Sequence, residues 1–180
     1  MATTESEFET ELFGREMRVR YDRTATGYAM VALRLVMGWA LLYPGLNHLT
    51  GLAGFREATA GMIAGAATTA ANPFAGYFAM LQPYAGALAV LNAVGLTLVG
   101  AALMAGAFVR LAGLGGAVMM LHYWAASLPL AHSLVVDDHV VYALLLFGLG
   151  ALGAGRLLGL DGVLEQTRLG ELPGARYLLG

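Results

Sequence analysis

The sequence of 180 residues contains no cysteine and no lysine, and it is poor in charge of either sign. The missing cysteines exclude disulfide bonds, thiolate metal sites and thiol redox relays. Charged residues make up 12% of the chain, whereas an ordinary soluble domain is about a quarter charged. A formal net charge of −2 gives no basis for nucleic-acid binding.

The chain is instead rich in apolar residues, with 58% hydrophobic residues and a mean hydropathy of +0.67. A soluble domain of this size could not bury so much apolar surface, because small domains leave much of their area exposed. Four apolar segments each approach the ~20 residues that cross a bilayer. They run from Tyr28 to Leu49, Tyr84 to Val109, Leu111 to Leu130 and Val140 to Leu158.

These segments lack strand-like alternation, and lipid offers the backbone no hydrogen-bond partners, so the pattern predicts helices. The second and third are joined tightly at Arg110, which predicts an antiparallel pair. Small residues one helical turn apart, such as Gly150 and Ala154, are typical of close helix packing in lipid. We therefore expect an all-α integral membrane protein, a bundle of four transmembrane helices.

The predicted domains are a polar cytoplasmic segment (1–25), the four-helix membrane domain (26–160) and a cytoplasmic tail (161–180). The polar segment is expected to carry a short surface helix. Residues 51–82 are too many for a simple connection and too apolar for a solvated loop. Asn72-Pro73 should break any helix there, which predicts a short interfacial helix, a turn, and entry into the second span.

The arginines predict the orientation, because positive charge is retained on the cytoplasmic side. With the N-terminus inside, Arg56 alone lies outside, and eight arginines are cytoplasmic: Arg15, Arg18, Arg20, Arg23, Arg110, Arg156, Arg168 and Arg176. We expect a multi-pass protein of the cytoplasmic membrane with both termini in the cytoplasm.

Arg34 and His122 lie well inside the predicted spans, where an unpaired charge is costly. Arg34 is near the cytoplasmic side of the first span. It either snorkels to the headgroups or faces the bundle and donates to a bound acidic or quinoid ligand. His122 is near the middle of the third span, beside Tyr123 and Trp124. In the first interpretation, His122 forms a structural hydrogen bond with a backbone carbonyl or with Asn92. In the second, it binds a ligand or transfers protons.

A second polar group is predicted at the outer helix ends. It consists of Tyr43, Asn47, His48, His132, Asp137, Asp138 and His139. Two aspartates and three histidines could hold a metal or relay protons. However, no HxxxH or HExxH spacing is present, and Asp138 suits the N-cap of the fourth helix. We predict no metal site here.

Several short motifs recur in order along the predicted spans. The first span contains Leu33-Arg34-Leu35, then Gly38 and Gly45. The second ends in the run 106–112, the fourth opens with 138–143, and Gly153-Ala154-Gly155-Arg156 and Asp161 follow. Together these motifs resemble the DoxX/DoxD family of small four-helix membrane proteins, especially the versions from halophilic archaea, and their order over roughly residues 26–165 is the specific part of the resemblance. Asn47-His48 departs from it, because the family often has a lysine near this position.

The resemblance implies a membrane subunit of a quinone-linked oxidoreductase, possibly of the thiosulfate:quinone type, with quinone bound and no covalent cofactor. Arg34, Asn92 and His122 would then be the polar groups of the quinone pocket, with Tyr123 and Trp124 as its aromatic walls. The outer polar group would receive the sulfur anion or a partner subunit. The alternatives are a non-catalytic anchor or assembly subunit and a small-solute carrier; the sequence leaves enzymatic activity and oligomeric state open.

Overall fold

The computed structural model describes residues 5–12, 15–168 and 170–180, and most of them are helical. In chain order, the elements are β1 (Glu5–Leu12), β2 (Arg15–Asp22), α1 (Arg23–Thr50), α2 (Leu52–Thr68), α3 (Ala75–Leu81), α4 (Ala85–Ala105), α5 (Val109–Ala126), α6 (Asp138–Ala151), α7 (Asp161–Leu164) and α8 (Ala175–Leu178). One-turn 3-10 helices at Gln82–Tyr84 and Ala154–Arg156 precede α4 and follow α6.

The first two elements form an antiparallel hairpin, so the predicted surface helix at the N-terminus is wrong. Acidic residues alternate with other residues from Glu5 to Glu11, and a period of two is a strand pattern. Across the hairpin, Arg20 Nε binds Glu7 Oε1 at 2.7 Å and Arg18 Nε binds Glu9 Oε1 at 2.9 Å. The hairpin leads straight into α1, whose first turn is capped by Asp22.

Four helices form the bundle, with α4 packed mainly against α1 and α5 mainly against α6. Their shared core includes Met37, Leu103 and Leu146. Glycines permit the close crossings: a Cβ on Gly100 would collide with the backbone of Leu42. The predicted packing role of small residues is thus confirmed for these helix pairs, since Gly150 likewise lies against Arg110 on α5.

Two helical stretches are long and apolar enough to cross a membrane. They are α1, with 28 residues, and the run 75–105, with 31 residues, in which α3 continues into α4. They correspond to the first and second predicted spans, although the second starts earlier than predicted. Helix α5 has 18 residues and α6 has 14, both shorter than the segments predicted for them. Gly153, at φ +70°, follows the end of α6, which therefore stops well before Leu158.

The region between α1 and α4 contains the predicted break. Helix α2 has 17 residues, longer than the short helix expected, and the chain turns between Thr69 and Phe74, around Asn72-Pro73. Asn72 is buried, and its side chain donates to the Ala125 carbonyl at 3.0 Å while accepting from the Phe74 N–H. This residue therefore fixes the turn to the end of α5.

Candidate functional site

A cavity of about 580 Å³ lies between α4 and α5, and α2 and α3 complete one of its ends. Its walls are almost entirely apolar, with Leu91 and Leu98 from α4 and Leu111 and Val118 from α5. These four side chains are also exposed at the surface of the protein, so the cavity opens sideways between the two helices. Its volume is within the range of small-molecule sites.

Four polar side chains of the cavity are gathered near one end, which we call the His122 end and define by Tyr77, Asn92, His122 and Tyr123. Tyr77 Oη lies 2.7 Å from His122 Nε2, and His122 Nδ1 lies 3.0 Å from the Val118 carbonyl oxygen. A carbonyl can only accept, so Nδ1 carries the proton of the neutral ring. Nε2 then accepts from the Tyr77 hydroxyl, which orients the imidazole toward the cavity.

A second polar pair lies beside the first. The Tyr123 hydroxyl donates to Asn92 Oδ1 at 2.6 Å, linking α5 to α4 across the cavity wall. The predicted carbonyl partner of His122 is confirmed, but Asn92 pairs with Tyr123 rather than with His122. Among the described residues, no hydrogen bond is made by the Asn92 Nδ2 group, so its N–H bonds are free to bind a ligand. One free donor, the Asn92 amide, thus borders the apolar space beside the His122–Tyr77 pair.

Trp124 does not line this cavity, contrary to its predicted role as an aromatic wall. Its Nε1 donates to the Val135 carbonyl at 2.8 Å, and its ring meets Phe74 edge-on. Trp124 points away from α4 because successive helical residues are about 100° apart. Its indole therefore holds the loop between α5 and α6.

Arg34 is also outside the cavity, and the structure replaces both of its proposed roles. Its side chain is only 1% exposed, so it does not snorkel. Nη1 donates to the carbonyls of Ala154 at 2.6 Å and Leu157 at 2.9 Å, and Nη2 donates to Leu158 at 3.1 Å. Arg34 faces the bundle interior as predicted, but it holds the chain that follows α6 rather than bordering a pocket.

Asp161 completes this second region, which we call the Arg34 end and define by Arg34, Asp161 and the segments 106–109 and 154–161. Asp161 is fully buried. Its carboxylate accepts from the N–H groups of Phe108 at 2.6 Å and Val109 at 2.9 Å, so it caps α5 from 52 residues away. Residue 161 was expected in a solvated tail; its place after the Arg156 motif was the only sequence signal.

The end of the chain also packs here. Leu179 and Gly180 are buried, and the Gly180 N–H donates to Asp161 Oδ2 at 3.0 Å. The boundary predicted after residue 160 therefore falls inside a packed region rather than between the bundle and a free tail.

Part of the predicted outer polar group comes together. Asp137, Asp138 and His139 bring their side-chain ligand atoms within 4.8 Å of one another, with His139 Nδ1 at 2.8 Å from Asp137 Oδ2. Asp137, not Asp138, caps α6 through the Val140 N–H at 3.1 Å. Partial burial opposes ionisation of Asp137, but hydrogen bonds from His139 and Val140 outweigh it and lower its pKa. A helix cap accounts for this group.

The other predicted members are placed elsewhere. His48 stacks on Phe55 with ring centroids 3.8 Å apart, and Tyr43 packs beside Trp39. Asn47 and His132 are exposed. Within the part of the chain that the structure describes, His48 and His132 are not members of the cluster of potential metal ligands. The structure thus separates a group that the sequence placed in one layer.

Comparisons with family models, with curated proteins and with solved structures found no match to this chain. The resemblance to the DoxX/DoxD family therefore depends on the sequence motifs alone.

Proposed function

We propose that this chain is a multi-pass membrane protein whose bundle helices α1, α4, α5 and α6 lie in the bilayer. The support comes from where its apolar surface lies. Only 28% of the most apolar window of α1 and 33% of that of 75–105 is buried inside the protein. The core helix of a soluble protein would be mostly buried. Large apolar side chains project outward from every bundle helix, such as Val36, Leu98, Leu114 and Leu144, and lipid is the solvent that suits them.

We propose an orientation with both termini in the cytoplasm, based on the arginine distribution. The Arg34 end then lies on the cytoplasmic side and the His122 end on the outer side. Because the natural chain has no cysteine, single substitutions give unique labels. Leu134→Cys, at an exposed position in the α5–α6 loop, should react with an impermeant maleimide on intact cells, and Glu171→Cys only after lysis. Labelling of both on intact cells would contradict the topology.

Within this frame, we propose a quinone-binding subunit of a membrane oxidoreductase, similar to DoxX/DoxD proteins and of the thiosulfate:quinone type. The observation that carries the proposal is the apolar cavity with polar groups at one end. A quinone ring carries two carbonyl acceptors, and Asn92 Nδ2 is a donor that can reach into this space, whereas the Tyr77 O–H is already donated to His122. The side opening suits a ligand that is dissolved in lipid.

The residues divide the work as follows. His122 keeps its Nδ1 proton on the Val118 carbonyl and presents Nε2 to Tyr77, so the pair can exchange a proton with a ligand oxygen. The Tyr123 hydroxyl donates to Asn92 Oδ1 and so leaves the Nδ2 group of Asn92 available to a ligand. Arg34 takes no part, because its donors serve backbone carbonyls at the other end. Trp124 acts only through the loop that it holds.

Quinone content tests the proposal. The protein is purified in mild detergent, its lipids are extracted, and quinone per protein is measured by mass spectrometry for three forms: natural chain, His122→Leu and His132→Leu. His132 is an exposed histidine outside the cavity, so it controls for loss of an imidazole. We expect near-stoichiometric quinone in the natural chain and in His132→Leu, and a loss of most quinone in His122→Leu.

Absence of quinone from the natural chain, both as purified and after incubation with added quinone, would reject the proposal. The remaining role would then be an anchor or assembly subunit. Equal quinone in all three forms would instead remove His122 from the site.

A further inference from the structure

The cavity is strongly asymmetric along its length. Four of its five polar side chains are grouped toward one end, Tyr77, Asn92, His122 and Tyr123, and Phe108 marks the other end. The fifth, Thr59 on α2, donates its hydroxyl to the Phe55 carbonyl of its own helix. His122 and Phe108 are 14 positions apart on one helix, which corresponds to about 21 Å at ~1.5 Å per residue. A quinone ring alone would fill only the first part of this length. The remainder is an apolar channel.

Gly115 on α5 widens that channel. On the opposite wall, Gly95 of α4 makes room for Met119, since a Cβ there would lie 3.0 Å from the Met119 sulfur. A Cβ placed on Gly115 would meet no atom within 4 Å, so the space beside it is open. Gly115 is seven residues from His122, about 10 Å along the helix. This position is beyond the reach of a ring that is hydrogen-bonded at the His122 end.

The channel is also open to its surroundings along its length. Leu91 and Leu98 on α4 are 68% and 64% exposed while they line the cavity, and Leu111 on α5 is 51% exposed. A flexible apolar chain can therefore enter sideways between α4 and α5. A closed cavity would require the bundle to open first.

We infer that the cavity selects a quinone with a long isoprenoid tail, bound with its ring at the His122 end and its tail running past Gly115 toward Phe108. This inference rests on the proposed quinone-binding function and adds the ligand's orientation and tail. The ring position follows from the polar groups, since a tail offers no acceptor for the Asn92 amide. Gly115 then determines tail specificity, because a larger side chain there would occupy the tail's path.

The test compares two ligands and two matched variants. The ligands are a benzoquinone ring with one isoprene unit and the same ring with eight units. Gly115→Phe fills the channel, and Gly148→Phe is the control. Gly148 is on α6, a Cβ there also meets no atom within 4 Å, and it does not line the cavity. Dissociation constants are measured in detergent by quenching of intrinsic fluorescence, with thermal unfolding recorded to confirm that each variant is folded.

We expect Gly115→Phe to weaken binding of the long-tailed quinone about tenfold and that of the short quinone less than about twofold. Gly148→Phe should change neither. Equal weakening of both ligands, or of neither, would overturn the tail path while leaving quinone binding in place. Failure of the natural chain to bind either ligand would overturn the proposed function as well.

A phospholipid acyl chain is the other source of a long apolar chain. Competition by phosphatidylglycerol vesicles distinguishes it: a quinone site should retain the long-tailed quinone against a hundredfold excess of phospholipid. Displacement in proportion to that excess would show a channel for lipid chains and contradict the inference.

Discussion

The polar side chains at the two ends of the bundle differ in burial and in how fully they are hydrogen-bonded. At the Arg34 end, a guanidinium and a carboxylate are 1% and 0% exposed. The chain itself supplies hydrogen-bond partners for the carboxylate and for both Nη groups of Arg34, while Arg34 Nε has no partner among the described residues. At the His122 end, the polar groups are phenol, amide and imidazole side chains, Tyr77 is 42% exposed, and Asn92 retains N–H groups that bind nothing among the described residues. The first region is closed, and the second is open.

This difference explains why Arg34, the residue whose burial costs the most free energy, lies outside the proposed quinone site. A buried guanidinium must satisfy several donors, and three carbonyls in 154–158 accept from its two Nη groups at the point where α6 ends. The same contacts satisfy carbonyls that the end of a helix leaves free. The uncharged groups around the cavity cost less to expose to lipid or to a ligand, so they can remain incompletely paired until a ligand arrives.

Removal of Arg34 is expected to have the largest effect on stability. Arg34→Met leaves the Ala154 and Leu157 carbonyls without their donor and removes one of the positive charges that act on Asp161. We expect a loss of about 3–5 kcal/mol, measured by thermal unfolding in detergent. Arg56→Met, at an exposed position, should have almost no effect. A decrease of less than about 1 kcal/mol in the free energy of unfolding of Arg34→Met would show that Arg34 does not stabilise this end of the bundle.

Asp161→Asn should have the next largest effect. Asparagine offers one acceptor oxygen where the carboxylate receives N–H groups from Phe108, Val109 and Gly180. We expect about 1–3 kcal/mol of destabilisation and faster hydrogen exchange of the Val109 amide. Asp138→Asn, an exposed carboxylate, is the matched control. Unchanged exchange at Val109 would contradict the capping role.

His122→Leu should cost less stability, about 0.5–2 kcal/mol, the range for polar contacts within membranes. The side chain loses its bonds to Tyr77 and the Val118 carbonyl, but both sites are exposed. The variant should lose most of its bound quinone although its free energy of unfolding changes little. Thermal unfolding and quinone analysis of one preparation give both values, and a loss of stability as large as that of Arg34→Met would erase the contrast between the ends.

The Arg156–Glu165 ion pair should show the smallest effect, and only above acidic pH. The hydrogen bond from Arg156 Nε, 2.9 Å from each carboxylate oxygen, lowers the Glu165 pKa. A depressed pKa contributes stability above the unfolded value of about 4.3, and this contribution disappears as pH falls through the folded pKa. Glu165→Gln should cost at most about 1 kcal/mol at pH 7, and this cost should shrink as the pH falls through the folded pKa of Glu165. A cost that stays constant across the acidic range would show that ionisation is not its source.

The positions of the helices could be predicted from the sequence because their apolar runs and Pro73 are local signals. The hairpin does not follow from the high charge of the N-terminal residues. Its sequence signal is the period of two from Glu5 to Glu11. Asp161 could not be found in this way, since it caps a helix that begins 52 residues earlier. Tyr77 was missed because it was assigned to an interfacial segment; its partnership with His122 exists only after α3 has packed on α5.

The contrast between the two ends is tested most directly by asking where a quinone binds. A benzoquinone with an azido group on its ring and an isoprenoid tail is photolysed with the purified protein, and labelled peptides are mapped by mass spectrometry. We predict labelling in α3 and around His122 and Tyr123, abolished by excess unmodified quinone and weak in His122→Leu. Saturable labelling of 154–161 or of the α1 segment around Arg34, with none near His122, would contradict the account.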